Sequence, residues 1–208
     1  MTYTLYGARY SRSQLVEMVL AEGQLAYTKI EHDLRGGEHR SAAYLATNPL
    51  GWFPALATPD GEILAETPAI NMWLAERHGL TQLVPAVDDP DRGRFLTAFH
   101  NVLGEVEPAL KRIFYPARYA PRPDDAEAAR ELAWTALEER LAIIDPLLDP
   151  FFLGPRFTLA DLTLAYWMVY TDKRRDLGKF PNVANAYRLT CARPRTAALF
   201  AMHIAQTT

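Results

Sequence analysis

The sequence predicts two regions of different fold class, an α/β domain at the amino-terminal end and an all-helical domain after it. In the first 80 residues, short runs with strand character alternate with segments whose apolar residues recur at helical spacing. A stretch rich in Pro and Asp follows at residues 80–91, as is typical of a linker. Beyond it, the long apolar patterns have helical spacing. We therefore expect one domain over residues 1–80 and a second over residues 88–208.

The elements of the first domain follow a strand, helix, strand order and end in a hairpin and a helix. Strands are predicted at residues 2–5, 26–32, 55–58 and 62–65. Between the first two strands, Leu15, Val16 and Val19 repeat at helical spacing. A short helix is expected at residues 42–47 and an amphipathic one at residues 69–78, ended by Gly79. This order is thioredoxin-like.

The second domain shows three apolar helical patterns. The first, at residues 95–113, contains Pro108, which should kink or end the helix because proline lacks the amide hydrogen. The second covers residues 129–144. The third begins with Thr158 as N-cap and Asp161 three residues later, flanked by apolar residues placed as a hydrophobic staple.

Composition excludes several classes of function. The chain has 208 residues, a net charge of -3 and an estimated pI of 6.0, so it lacks the basic surplus typical of nucleic-acid-binding proteins. It has no apolar run near the roughly 20 residues of a membrane helix, and no signal-peptide pattern, so a cytoplasmic location is expected. A single cysteine, Cys191, and five scattered histidines predict neither a disulfide framework nor a metal site.

The most informative segment joins two turns that suit a peptide-like ligand. Phe53-Pro54 stands where a loop enters a short strand, and proline is the residue at which a cis peptide bond is accessible. Such a bond would leave the backbone of Phe53 free to pair with an extended ligand. Thr67 and Pro68 are expected to be the N-cap and first residue of a helix, whose free amides attract a carboxylate. The sequence thus predicts a strand edge beside an anion site.

The run Asn48-Pro49-Leu50-Gly51-Trp52-Phe53-Pro54-Ala55-Leu56, followed by Glu66-Thr67, resembles the cytosolic glutathione S-transferase family, in a serine-type, bacterial-like form. The string at residues 157–162 and the C-terminal residues 179–183 and 192–194 extend the likeness over nearly the whole chain. The resemblance implies the glutathione transferase fold, a homodimer, and glutathione as co-substrate without a metal. It also implies that Phe53, beside Pro54, pairs with the cysteinyl backbone of glutathione, and that Glu66 and Thr67 hold the γ-glutamyl end.

The resemblance places the catalytic hydroxyl at Ser11, just after the first strand. Ser11 has a structural alternative as well, because Ser11 and Gln14 match a capping box. Tyr6 and Tyr10 are further candidates for activating the thiol. Trp52 departs from the family pattern, since it stands where many members have a cationic or amide side chain for the glycine end of glutathione. His39 is a candidate for that glycine carboxylate.

A second substrate, an apolar electrophile, is expected between the domains. Its candidate aromatic contacts are Tyr10, Tyr115, Tyr119, Tyr166 and Trp167, although aromatic residues at helical spacing are more often core. The expected function is a glutathione transferase acting by thiolate addition or substitution. The alternative is a non-catalytic member of the same fold that binds a partner or regulates. A glutathione-dependent isomerase is disfavoured, because the Ser-Ser-x-Ser-Cys type of motif is missing.

Overall fold

The computed structural model describes residues 2–207 and divides them into two compact units. One unit runs up to Ala86 and also includes the segment that begins at Ala192. The other unit is Val87–Cys191.

The first unit is built on a four-stranded mixed sheet. Its strands are β1 (Tyr3–Ala8), β2 (Tyr27–His32), β3 (Ala55–Ala57) and β4 (Ile63–Ala65), in the order β2-β1-β3-β4. The pair β1 and β2 is parallel, whereas β3 is antiparallel to both β1 and β4. Leu5 of β1 faces Leu56 of β3 in the register, and both side chains are fully buried. The central pair of strands thus provides the core of the sheet.

Three helices accompany this sheet: α1 (Ser13–Glu22), α2 (Ala42–Thr47) and α3 (Thr67–Arg77). Helix α1 connects the parallel strands β1 and β2, as a parallel pair requires. Ser41 caps α2, because its hydroxyl accepts a hydrogen bond from the Tyr44 amide. The strand, helix, strand opening and the later hairpin and helix confirm the predicted α/β fold class.

The second unit is helical, as the sequence predicts. Its helices are α4 (Arg92–Asn101), α5 (Glu107–Phe114), α6 (Ala126–Ile144), α7 (Leu159–Asp172) and α8 (Pro181–Cys191). Pro108 neither ends nor isolates a helix, because a single π-helical turn, Val102–Val106, joins α4 to α5. Pro108 is the second residue of α5, directly after this π-helical turn. The wider turn before it carries the carbonyl groups that the proline ring would crowd in a regular helix.

Helix α7 is the buried centre of the second unit, and it begins with the predicted capping box. The Asp161 carboxylate accepts hydrogen bonds from the Thr158 amide and hydroxyl, both at 2.8 Å, and from the Phe152 amide at 2.9 Å. From Leu159 to Val169 every residue is buried. The capping box therefore fixes the start of the helix around which the others pack.

The C-terminal segment is grouped with the first unit, whereas the expected second domain of residues 88–208 includes it. Its helix α9 (Ala197–Gln206) follows Arg193, whose guanidinium forms two hydrogen bonds, of 2.7 and 2.9 Å, with the Glu22 carboxylate. Glu22 ends α1 and is 1% exposed, so its charge requires a partner. The Arg195 guanidinium adds a bond of 2.6 Å to the Glu22 carbonyl. These contacts with Glu22 thus hold the C-terminal segment against the end of α1.

Of the helices formed by the described residues, none has both the length and the apolar character that crossing a membrane requires.

Candidate functional site

An open cleft lies in the first unit and is formed by three separate chain segments. Its lining residues are Arg12, Asn48, Leu50, Trp52, Phe53, Pro54, Ala65, Glu66 and Thr67. The sequence-predicted residues Trp52, Phe53, Pro54, Glu66 and Thr67 therefore share one site. His39 and Ser11 are not among the residues that line it.

Phe53 presents its backbone to the cleft while its ring is buried. The peptide bond between Phe53 and Pro54 is cis, which confirms the prediction from the sequence. Among the residues that the structure describes, neither the amide nor the carbonyl of Phe53 has a hydrogen-bond partner. A strand edge with an unused donor and acceptor is the arrangement that an extended peptide recognises.

Aromatic and amide side chains behind the cleft hold this loop in place. The Tyr44 hydroxyl and the Asn48 side-chain amide each donate a hydrogen bond of 2.8 Å to the Trp52 carbonyl. The Phe53 ring packs against Tyr44, with ring centroids 4.5 Å apart, and stacks on His32 at 4.9 Å. These contacts fix the direction of the Phe53 backbone. The sequence indicated Asn48 through its Asn-Pro pair but gave no pattern for Tyr44.

The second wall of the cleft is the junction of β4 and α3. Glu66 has φ of +69°, a conformation that is costly for a residue other than glycine and that is often found at functional sites. The structure places Glu66 at the N-cap and Thr67 as the first residue of α3, one position earlier than the sequence predicted. Glu66 is exposed, so its carboxylate is available to a ligand. The backbone strain thus directs a charged side chain into the cleft.

Thr67 carries a buried hydroxyl without a partner. The residue is 1% exposed, and its Oγ1 has no hydrogen-bond partner among the described residues. Leaving a buried hydroxyl unpaired costs free energy, so a ligand oxygen at this place would be stabilising. The hydroxyl lies at the amino-terminal end of the 11-residue helix α3, where partial positive charge favours an anion. The geometry fits a ligand carboxylate.

Trp52 also lines the cleft, and the side chains of His39 and Arg40 lie against its indole. Its side chain is 45% exposed. The His39 ring stacks on the indole at 5.4 Å, and the Arg40 guanidinium lies 4.6 Å from the indole centroid. The sequence indicated His39 but not Arg40, which has no distinguishing pattern beyond standing next to it. Arg40 supplies the positive charge that Trp52 lacks.

In the loop between β1 and α1, the adjacent residues Ser11 and Arg12 have different surroundings. The Ser11 hydroxyl donates a hydrogen bond of 2.8 Å to the Ala8 carbonyl and lies 2.8 Å from the Ser13 hydroxyl. It also accepts a 3.3 Å hydrogen bond from the Ser13 amide, at the start of α1. The side chain of Ser11 is buried, whereas the neighbouring Arg12 lines the cleft. The Ser11 hydroxyl is thus engaged in closing the turn.

The two tyrosines of this part of the chain have different settings. Tyr10 is 42% exposed, and the Arg35 guanidinium lies 4.5 Å from the centroid of its ring. Tyr6 is half-buried in β1 between His32 and Tyr44, with ring centroids 6.2 and 6.4 Å away. Neither tyrosine is among the residues that line the cleft.

The aromatic candidates of the second unit divide into surface and core. Tyr115 and Tyr119, after α5, are 49% and 51% exposed. The Arg118 guanidinium lies 4.4 Å from the Tyr115 ring centroid, and that of Arg112 lies 5.8 Å from Tyr119. Trp167 is buried in α7, 5.1 Å from the ring of Tyr166. A ligand could reach the two exposed tyrosines, whereas Trp167 is part of the core.

Within the part of the chain that the structure describes, no three His, Cys, Asp or Glu side chains are grouped as metal ligands. Burial raises the pKa of Cys191 to about 12, so its thiol is a poor nucleophile near neutral pH.

A thioredoxin-like sheet in the first unit and a helical second unit together form the two-part arrangement of the glutathione transferase fold. Comparison with known proteins agrees. The family model described as glutathione S-transferase, N-terminal domain, matches residues 5–82. A maleylacetoacetate isomerase of Rhizobium meliloti is 35% identical over 81% of this chain and 80% of its own length. The chain therefore belongs to the glutathione S-transferase family.

Solved structures give the same result over the whole chain. A glutathione transferase homolog from Sulfitobacter, solved with bound glutathione, has a TM-score of 0.85 and 25% identity, covering 98% of this chain and 99% of that one. A glutathione transferase from Methylococcus capsulatus has a TM-score of 0.81 and 27% identity, covering 97% and 98%. The glutathione transferase fold predicted from the sequence is confirmed.

Proposed function

We propose that the protein is a glutathione transferase that binds glutathione in the cleft of the first unit and presents its sulfur, as a thiolate, to an apolar electrophile. One observation carries this proposal: the unpaired backbone of Phe53 and the unpaired buried hydroxyl of Thr67 line the same cleft. They supply, in one place, the two kinds of hydrogen bond that a γ-glutamyl peptide requires.

The proposed pose uses each wall of the cleft for one part of the tripeptide. The cysteinyl amide and carbonyl pair with the carbonyl and amide of Phe53. The γ-glutamyl carboxylate accepts hydrogen bonds from the Thr67 hydroxyl and from free amides of α3. The γ-glutamyl ammonium faces the Glu66 carboxylate. The glycine carboxylate lies near Trp52, with Arg40 as its cationic neighbour and the His39 ring as a further polar neighbour.

The chemistry follows from the state of the sulfur. A free thiol has a pKa near 8.5, so only a small fraction is thiolate at neutral pH, and the thiolate is the nucleophile. Lowering that pKa in the cleft increases the reactive fraction. In substitution, the sulfur lone pair forms the carbon–sulfur bond and the leaving group departs with its bonding electrons. In an addition reaction, the sulfur lone pair forms the carbon–sulfur bond, and the π electrons that it displaces take a proton from water.

Other features implied by the family resemblance complete the proposal. The acceptor contacts exposed aromatic rings, with Tyr115 and Tyr119 as the candidates from the second unit. The protein acts as a cytoplasmic homodimer, without a metal, in the detoxification of electrophiles.

Two alternatives have specific support. The Ser11 hydroxyl is bonded within its own loop, which favours a non-catalytic glutathione-binding protein. The relative named maleylacetoacetate isomerase favours a glutathione-dependent isomerase acting on an unsaturated acid of that kind. Both alternatives keep the same glutathione cleft and differ in what happens at the sulfur.

The test combines binding with turnover. We expect the protein to be retained on immobilised glutathione, to be eluted by free glutathione, and to conjugate a generic aryl halide. Retention without conjugation of aryl halides or activated alkenes, and without isomerisation of an unsaturated acid, would indicate the non-catalytic alternative. Absence of retention and of any binding in solution would overturn the proposed function.

A further inference from the structure

We propose that Arg12 is a catalytic residue of this cleft: its guanidinium contacts the glutathione sulfur and stabilises the thiolate. The inference rests on the proposed function and assigns the thiol-activating role to a cation of the first loop. The sequence placed that role on the hydroxyl of Ser11, and the experiment below compares the two residues directly.

Arg12 lies in the turn between β1 and α1. Strand β1 ends at Ala8 and helix α1 begins at Ser13, so four residues form the turn between them. In this turn, which the structure describes completely, Arg9 and Tyr10 are exposed and Ser11 is buried. Arg12 alone of the four lines the cleft. It is half-buried and occupies the N-cap position of α1.

The proposed pose brings the glutathione sulfur close to Arg12. The loop at Phe53 and the junction at Thr67 hold the backbone and the γ-glutamyl end of the tripeptide in the proposed pose. The cysteinyl side chain lies in the middle of the ligand, so it faces the remaining wall of the cleft. That wall is Arg12. The long, flexible side chain of arginine can bring its guanidinium within hydrogen-bond distance of a sulfur there.

The guanidinium of Arg12 is chemically suited to stabilise a thiolate. A guanidinium stays protonated at every physiological pH and offers five N–H donors, so it stabilises a thiolate by charge and by hydrogen bonds. A nearby opposite charge lowers a pKa by about 1–3 units. The amino-terminal end of the 10-residue helix α1 adds partial positive charge at the same place. The thiol proton leaves to water, because an arginine does not accept it.

Ser11 is less suited to this role because of its bonds. A serine hydroxyl has one proton to donate, and that of Ser11 is directed at the Ala8 carbonyl at 2.8 Å. Its contacts with the Ser13 hydroxyl and amide tie it to the start of α1. We assign Ser11 the role of a positioning residue that shapes the turn carrying Arg12.

The experiment titrates the thiol of bound glutathione by the ultraviolet absorbance of its thiolate. The variants are Arg12→Met, Arg12→Gln, Arg12→Lys and Ser11→Ala, with Arg9→Met as the matched control. Arg9 is in the same turn, and its guanidinium lies 5.7 Å from the Tyr10 ring centroid. The pKa of bound glutathione should rise by about one unit or more in both neutral Arg12 variants, and by less in Arg12→Lys. It should stay unchanged in Arg9→Met.

Binding of S-methylglutathione separates activation from anchoring, because this ligand has no ionisable sulfur. We expect the neutral Arg12 variants to bind it as the unmodified protein does. A loss of S-methylglutathione affinity equal to the loss for glutathione would overturn the proposal, since Arg12 would then hold a carboxylate. A pKa that rises in Ser11→Ala and not in the Arg12 variants would overturn it as well. Failure of the unmodified protein to bind either ligand would refute the proposed function itself.

Discussion

Asp161 shows how one buried residue couples the fold to pH. Its carboxylate accepts hydrogen bonds from Thr158 and Phe152, which favour the charged form, yet it is buried in the second unit. Desolvation is the larger effect and raises the pKa of Asp161 to about 6 from an ordinary value of 3.8. The folded chain therefore binds this proton more tightly than the unfolded chain does.

The pKa shift of Asp161 gives a prediction with a definite sign. Between pH 3.8 and about 6 the folded state carries the additional proton, so this group's contribution to the free energy of unfolding falls as pH rises. The full change is on the order of 2–3 kcal/mol. Asp161→Asn lacks the titration, so the stability advantage of the unmodified protein over this variant should shrink across that range. Urea unfolding at several pH values measures it, and an advantage that grows with pH would refute the assignment.

Among the elements, the docking of the C-terminal segment on α1 depends on a buried ion pair. Glu22 is 1% exposed, and Arg193 contacts both of its carboxylate oxygens. Such a pair contributes little beyond a well-packed apolar pair, but removing one partner leaves an uncompensated buried charge. The ion pair therefore specifies where the segment packs.

Replacing Arg193 should be far more damaging than replacing both partners. We expect Arg193→Met to lower the free energy of unfolding by about 3–5 kcal/mol, and Glu22→Gln combined with Arg193→Met to recover a large part of that loss. Arg188→Met is the control, because Arg188 is exposed on α8 and bonds only to Asn185 among the described side chains. Urea unfolding of the four proteins measures the effect. A double variant as unstable as Arg193→Met would exclude an ionic origin.

The sequence predicted those elements whose cause is local. Helix α7 is predicted because Thr158 and Asp161 are three residues apart, and the hairpin because the two short strand patterns at residues 55–58 and 62–65 follow each other closely. The pairing of Glu22 with Arg193 spans 171 residues, and no local pattern records it. The π-helical turn before Pro108 is likewise a response of the backbone to packing.

For the candidate site, the sequence predicts the residues that lie in turns but not the arginine side chains. Phe53, Pro54, Glu66 and Thr67 lie in characteristic turns, and the structure brings them to one cleft. The direction of a long side chain on a loop is set by tertiary contacts, so the sequence did not distinguish Arg12 from its neighbours. Arg40 was missed for the same reason.

Over the molecule as a whole, the net charge is negative, but positive charge predominates at the cleft. The chain has a formal net charge of -3, yet two arginines and one glutamate stand at the cleft: Arg12 and Glu66 line it, and the Arg40 guanidinium lies 4.6 Å from the centroid of the Trp52 indole. Such a local excess of positive charge raises the encounter rate with an anionic ligand. Glutathione carries a net negative charge at neutral pH, since its two carboxylates outnumber its one ammonium. The mildly acidic protein is thus locally complementary to it.

In the proposed pose, the cleft binds the γ-glutamyl end of glutathione through Thr67. Calorimetric titration of glutathione into Thr67→Val tests it most directly, with Thr190→Val as the control because Thr190 also has a fully buried, unpaired hydroxyl outside the cleft. A hydrogen bond to a charged group contributes about 1.5–3 kcal/mol, so the affinity of Thr67→Val should fall about tenfold or more. The affinity of Thr190→Val should not change, and both variants should remain as stable as the unmodified protein. Glutathione affinity that is unchanged in a folded Thr67→Val protein would show that Thr67 does not hold the γ-glutamyl carboxylate.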